Sequence, residues 1–174
     1  MGDDKTTPYA NSVFEQPWWL DLVAAGSWQE VFLKNNDKVV ARFPYVMKGK
    51  RIVMPPFTQT LGIWFDSSYL ESQIGNSQYR MQKEAINDLL SLLPLHKSID
   101  IRLDSSNNYL LPYRWKGFRY EPTVSYRINN LNSIDNIISN YSKHCKRDVK
   151  FSQKKVFLKD NPSVEEFLTL VCMT

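Results

Sequence analysis

Cysteine and histidine are nearly absent. Cys145 and Cys172 are the only thiols in 174 residues, with no CxxC pair, and His96 and His144 are the only imidazoles. Neither a disulfide framework nor a zinc knuckle can be assembled from that set. Both thiols read as reduced and structural, and Cys145 as a small core residue. Glycine is also sparse: the six residues at 2, 26, 49, 62, 75 and 117 never fall within three positions of each other. No glycine-rich loop of the kind that cradles a pyrophosphate at a helix N-terminus is present. The apolar runs are a handful of residues, against the ~20 that cross a bilayer as a helix, so no membrane span is expected. Met1 to Tyr9 is polar and carries Asp3 and Asp4. A secretory signal needs a basic start and an apolar stretch, so the sequence reads as cytoplasmic.

What remains is ordinary globular composition, with 43% hydrophobic and 23% charged residues. Such a chain buries enough apolar surface to offset its conformational entropy, which excludes intrinsic disorder. The length fits one domain or two small ones.

The formal charge is +4 and the pI about 9.0, but the charge is concentrated. Lys143 to Lys155 holds Lys143, Lys146, Arg147, Lys150, Lys154 and Lys155 against Asp148, a local +5, and the rest sums to −1. A generally cationic, nucleic-acid-coating surface is therefore disfavoured. From Ser133, the residues Ile134, Ile137, Ile138, Tyr141, Cys145, Val149 and Val156 recur at helical spacing, which predicts one helix with a core face. The cations fall on the opposite side. That side is either a solvated face or a phosphate-contacting one.

Along the chain, Phe14 to Ala25 predicts a short helix opened at Pro17 and closed at Gly26, burying Trp18, Trp19, Leu20, Leu22 and Val23. Trp28 to Leu33 and Val39 to Met47 predict a hairpin, and Arg51 to Met54 a third strand stopped by Pro55-Pro56. Pro55 to Trp64 reads as a loop, Tyr69 to Leu93 as a helix with Ile86, Leu89, Leu90 and Leu93 inward, and Ser98 to Leu103 as a strand. A turn at Asp104 to Asn108 and an aromatic connection lead to a strand around Thr123 to Ile128. After the basic helix come a short strand, Val156 to Lys159, and a helix, Ser163 to Met173. The expectation is an α/β or α+β chain: a polar tail (1–13), a first unit with a mixed sheet flanked by helices (14–122), and the beginning of a second unit (123–174).

Three strings carry a resemblance: Phe14-Glu15-Gln16-Pro17-Trp18-Trp19-Leu20-Asp21, Met54-Pro55-Pro56-Phe57-Thr58-Gln59-Thr60-Leu61-Gly62, and Leu111-Pro112-Tyr113-Arg114-Trp115-Lys116-Gly117-Phe118. Together they resemble the amino-terminal half of the FemAB-like, BioF2-type branch of the GNAT acyltransferase superfamily. Val124-Ser125-Tyr126 stands where that family has a Tyr-Thr-Tyr strand. Lys146-Arg147-Asp148-Val149-Lys150-Phe151-Ser152 stands in place of its basic helical string, with Phe151-Ser152 departing from the usual Lys-Ala.

The resemblance implies two GNAT-like domains. It further implies transfer of an acyl or aminoacyl group, from acyl-CoA or aminoacyl-tRNA as co-substrate, to an amine on a nucleotide- or sugar-linked acceptor. Because family chains resemble ones nearly twice this long, it also implies a second domain completed by a further segment or partner chain, and no turnover by these residues alone. The alternative expectation is a non-catalytic binding remnant that keeps the acceptor half.

No nucleophilic dyad is legible: His144 and Cys145 are adjacent, and adjacent helical residues point about 100° apart. Catalytic residues therefore stay unassigned, and no cofactor is identified from the residues. Anion-contact candidates are Lys48, Lys50 and Arg51 around Gly49, read equally as a polar turn. Others are Arg114 and Lys116 beside Trp115, read as a strand with an inward aromatic face, and Lys146, Arg147 and Lys150 on the basic helix.

Overall fold

The computed structural model describes residues 6–71, 76–124, 131–157 and 159–173. It divides into two compact units, Met1–Glu121 and Pro122–Thr174.

The first unit begins with a 3-10 turn, Val13–Glu15, and helix α1, Pro17–Val23. Pro17 opens α1 where an N–H would have no helical partner anyway, and Gly26 turns the chain with φ 72°. Strands β1 (Trp28–Asn35) and β2 (Lys38–Lys48) form the expected antiparallel hairpin, longer than its apolar runs. Its two-residue loop, Asn36-Asp37, has positive φ at both positions (48° and 66°), the geometry whose twist matches the strands and that Asn and Asp tolerate. Strand β3 (Arg51–Val53) pairs antiparallel with the end of β2. The expected loop after it closes with an unforeseen short strand, β4 (Trp64–Phe65), which pairs with Ala41 and Arg42.

Next come α2 (Ser67–Glu71), capped by Asp66 accepting from the Tyr69 amide at 3.0 Å, and α3 (Asn76–Leu92). Residues 72–75 of the single helix expected there lie outside the described residues. Strand β5 (Ser98–Asp100) returns parallel to β3, giving a mixed five-stranded sheet.

Strand β2 is the centre of this sheet, with every residue from Val40 to Val46 buried. Alternate residues Ala41, Phe43 and Tyr45 pack with Ile86, Leu89 and Leu93 in one core cluster. Arg42 points to the other face and donates to the backbone carbonyls of Tyr9 and Glu15, so the N-terminal segment covers that side. Pro44 fits this central strand because, between β4 and β3, no ladder partner needs its missing N–H. Of the α1 residues expected inside, Leu20 is fully buried, but Trp18 and Leu22 are exposed and Trp19 and Val23 half-buried. A seven-residue helix packed on one side hides only that side, and positions 18 and 22 share the outer one.

The second unit holds helices α5 (Ile134–Ser139), α6 (Lys143–Ser152) and α7 (Val164–Cys172). The single basic helix expected from Ser133 to Val156 is two. The Ser142 hydroxyl accepts from the Cys145 amide at 3.2 Å and starts a new helix, the local competition by which serine interrupts an apolar periodicity. None of the described residues from 131 to 173 is buried: of the predicted core face, Ile137 and Tyr141 are half-buried and the rest, Cys145 included, is exposed. Cys172 is exposed too, and both thiols are free. Val156, Phe157 and Lys159 form no strand, while most of the strand expected at Thr123 to Ile128 lies outside the described residues. Among the described residues no helix is long and apolar enough to cross a membrane.

The packing makes a direct prediction. Leu89→Ala should lower unfolding stability by about 3 kcal/mol through a buried cavity, while exposed Leu22→Ala should change it by under about 0.5 kcal/mol. Urea unfolding midpoints of the two variants decide this, and equal shifts would overturn the assignment of faces.

Candidate functional site

Two of the three strings that carry the resemblance meet in a buried polar clip. Glu15 is fully buried at the end of the first 3-10 turn. Its Oε2 accepts from the Asn11 amide at 2.7 Å, its Oε1 from the Gly62 amide at 3.0 Å, and both oxygens from Asn11 Nδ2. Burial pushes the Glu15 carboxyl up from its ordinary value. The Asn11 and Gly62 hydrogen bonds pull it partly back, and Asp104 adds to the rise.

Beside it, buried Asn107 accepts from the Ile63 amide and donates to the Ile63 carbonyl, each at 2.7 Å. A Cβ on Gly62 would fall inside contact distance of Asn107 Oδ1, so glycine is required there by space. Trp19 Nε1 donates to Thr58 Oγ1 at 3.0 Å and completes the hold on the Met54–Gly62 loop. At its tip Phe57 is 87% exposed and has φ 54°, a conformation that costs a bulky residue energy and that the anchored loop imposes.

The third string builds an open polar depression in the first unit. Leu111–Trp115 is helix α4 with Pro112 in the first turn, and Lys116-Gly117 turn after it, so Arg114 to Phe118 is not the strand its alternation suggests. Gly117 at φ 87° stops it. The Gly117 amide donates to the Arg114 carbonyl at 2.9 Å and the Phe118 amide to the Tyr113 carbonyl at 3.1 Å, while the Tyr113 and Phe118 rings meet edge-on at 6.2 Å. This is a Schellman closure with its usual apolar contact. The reversal brings Arg114 together with Gly117, Phe118, Arg119 and Tyr120 around an open depression of about 350 Å³. Two arginines and two aromatic residues thus line one depression, residue types that bind anions through guanidinium forks and planar groups through ring faces. The Tyr113 phenol, packed against the core cluster, is pushed up by burial.

The other candidates are arranged differently. Trp115 is 60% exposed with Lys83 Nζ 5.2 Å from its ring centroid, and Lys116 is the C-terminal cap of α4; neither lines the depression. Lys48 and Arg51 are cross-strand neighbours at the exposed β2–β3 turn, where Gly49 has φ 61°, and Lys50 accepts there through its carbonyl from the Lys97 amide. In the second unit Lys146 donates to the Ser139 carbonyl at 2.7 Å and Arg147 pairs with Asp148 at 3.1 Å, while Lys150 lies in the last turn of α6.

Arg119 and Tyr120 were not legible as site residues, because only the reversal at Gly117 folds them back toward Arg114. Glu15, Arg42 and Asn107 were also missed. Only Arg42 had a signal, as a lone polar residue inside the apolar run Val39 to Met47, whereas Glu15 and Asn107 stand among other polar residues. Among the described residues no three His, Cys, Asp or Glu gather as a metal would require. No family model, no curated protein and no solved structure matches the chain.

Two outcomes follow from this geometry. Gly117→Ala has open space but a left-handed backbone, so it should cost about 1 to 2 kcal/mol and loosen the turn that brings Arg114 and Arg119 to one depression. A thermal melt reads the first effect, and an unchanged melting point would contradict the turn. The second concerns Glu15. Its folded value lies above its ordinary value of 4.5, so folding takes up a proton between the two. The resulting stability is complete below the ordinary value and is lost as pH rises through the folded one. Urea titrations from pH 4.5 to neutrality should therefore show a decline that Glu15→Gln lacks, and parallel profiles would overturn it.

Proposed function

We propose that this chain is a FemAB-like member of the GNAT acyltransferases. In this reading it takes part in moving an acyl or aminoacyl group to an amine on a nucleotide- or sugar-linked acceptor. The depression at the end of α4 receives the acceptor, with Arg114 and Arg119 on its phosphate and Phe118 and Tyr120 against its ring. Transfer of this kind depends chiefly on holding two substrates in register and polarising a carbonyl, which asks of this unit a rigid acceptor seat rather than a nucleophile.

The observation that carries the reading is the pairing of two guanidiniums with two aromatic rings around about 350 Å³, within the third of the strings that carry the resemblance and just beyond it. That volume lies in the ~300–1,000 Å³ span of small-molecule sites, and arginine forks suit phosphate bidentately. The first two strings support it through the Glu15–Gly62 and Trp19–Thr58 hydrogen bonds, which tie them into one rigid piece. A mixed sheet flanked by helices agrees with the GNAT-like expectation at the level of fold class.

The test is a calorimetric titration of a UDP-linked amino sugar into the protein. Arg114→Gln and Arg119→Gln should each weaken binding by about 1.5 to 3 kcal/mol, roughly ten- to a hundredfold, with little effect on melting temperature. Affinities equal to the parent at both low and high salt would reject the site. Acyl-CoA and aminoacyl-tRNA are then supplied as donors. Binding of the acceptor without amine-dependent release of coenzyme A or tRNA would assign the chain a binding role alone.

A further inference from the structure

The second unit carries charge and apolar surface in an arrangement that the acceptor site does not use. Around α6 an open groove of about 820 Å³ is lined by Cys145, Val149, Val156 and Phe157, with Asp148, Ser152 and Gln153 among its walls. Phe157 is wholly exposed, and Phe151 is 58% exposed nearby on the helix. At 100° per residue, Cys145, Val149 and Ser152 share one side of α6, and Lys143, Lys146, Arg147 and Lys150 share the other. The helix is strongly amphipathic yet polar on average. Helix α7 repeats the apolar half of this pattern with Val164, Phe167, Leu168 and Val171, all more than half exposed.

We propose that α6 and the Val156-Phe157 segment after it bind the surface of an anionic lipid bilayer. The groove side enters the headgroup boundary, and the lysines and Arg147 meet the lipid phosphates. Charge complementarity favours this occupant: six cations stand against one acid between residues 143 and 155. A short helix with basic side chains on one side, an apolar groove on the other and little net hydrophobicity is the form that lies in a membrane interface. Long lysine stems reach back past the apolar side to the headgroups, so cations opposite the groove remain in range. A bilayer also needs no preformed complementary shape, and it accepts Val149, Val156 and Phe157 although none is packed in a protein core. Six basic groups near an anionic surface give a strong but salt-sensitive attraction.

The experiment is flotation of the full chain with vesicles of phosphatidylglycerol and phosphatidylcholine in equal parts, and with vesicles of phosphatidylcholine alone. The parent should float with the first at low salt and not with the second. Lys146→Gln, Arg147→Gln and Lys150→Gln together should lower the vesicle partition coefficient about a hundredfold. Val149→Ser with Phe157→Ser leaves the charge intact and touches exposed positions, so folding is spared, and it should lower partitioning about tenfold. Retention of full binding by this second variant would overturn insertion of the groove side, and equal binding to both vesicle types would overturn the electrostatic part. Sedimentation at the same concentration checks the other occupant: a stable dimer that does not float would assign the apolar surface to a second copy and reject the proposal.

Discussion

A guanidinium in the buried stretch of the central strand sets the terms for the first unit. Arg42 sits in β2 with its side chain 1% exposed, and a charge so placed persists only when it is paired and hydrogen-bonded. Its Nε meets Glu30 on the neighbouring strand at 2.7 Å, and its Nη1 meets the carbonyls of Tyr9 and Glu15. One side chain thus joins the hairpin to the N-terminal segment. Removing either partner would leave part of a buried cation unmatched, which makes the covering segment a structural necessity rather than a loose tail.

From Glu15 the chain of consequences continues outward. Its backbone carbonyl serves Arg42, while its carboxylate takes the amides of Asn11 and Gly62. Gly62 must be glycine because Asn107 occupies the space a side chain would need, and Asn107 in turn pairs with both backbone groups of Ile63. Loop, turn and N-terminal segment therefore share one buried polar network, in which Glu15 and Asn107 satisfy backbone donors and Arg42 is held through Nε and Nη1 while its buried Nη2 has no partner. The exposed, left-handed Phe57 is held at the loop's tip by this network.

The two units differ in kind. The first has two covered sheet faces and a contiguous core around Phe43, Ile52, Ile86 and Leu89. In the second, the serine caps at 133, 142 and 163 and the Ser163–Glu166 capping box specify helices locally, but no described residue is buried. Local capping is worth about 1 kcal/mol per cap and fixes where helices begin. It does not supply the apolar burial that holds helices together.

The amino-acid sequence by itself determined the hairpin, the α3 core stripe, the start of α1 at Pro17, the α7 helix and the concentration of charge in 143–155. Each is written in a period, a cap or a composition that acts over a few residues. It misread Arg114 to Phe118, because alternation suggests a strand there while the left-handed freedom of Gly117 allows a helix to close. It also ran α5 and α6 together, because apolar spacing continues through a position where the Ser142 hydroxyl captures an amide. Only the tertiary structure decided that Glu15 answers Gly62 from 47 residues away and that Asn107 answers Ile63 from 44. It alone decided, too, that Arg119 joins Arg114. The physical reason is the same in each case: a buried polar group takes whatever partner the folded chain brings within hydrogen-bond reach, and no local pattern in the sequence records that partner.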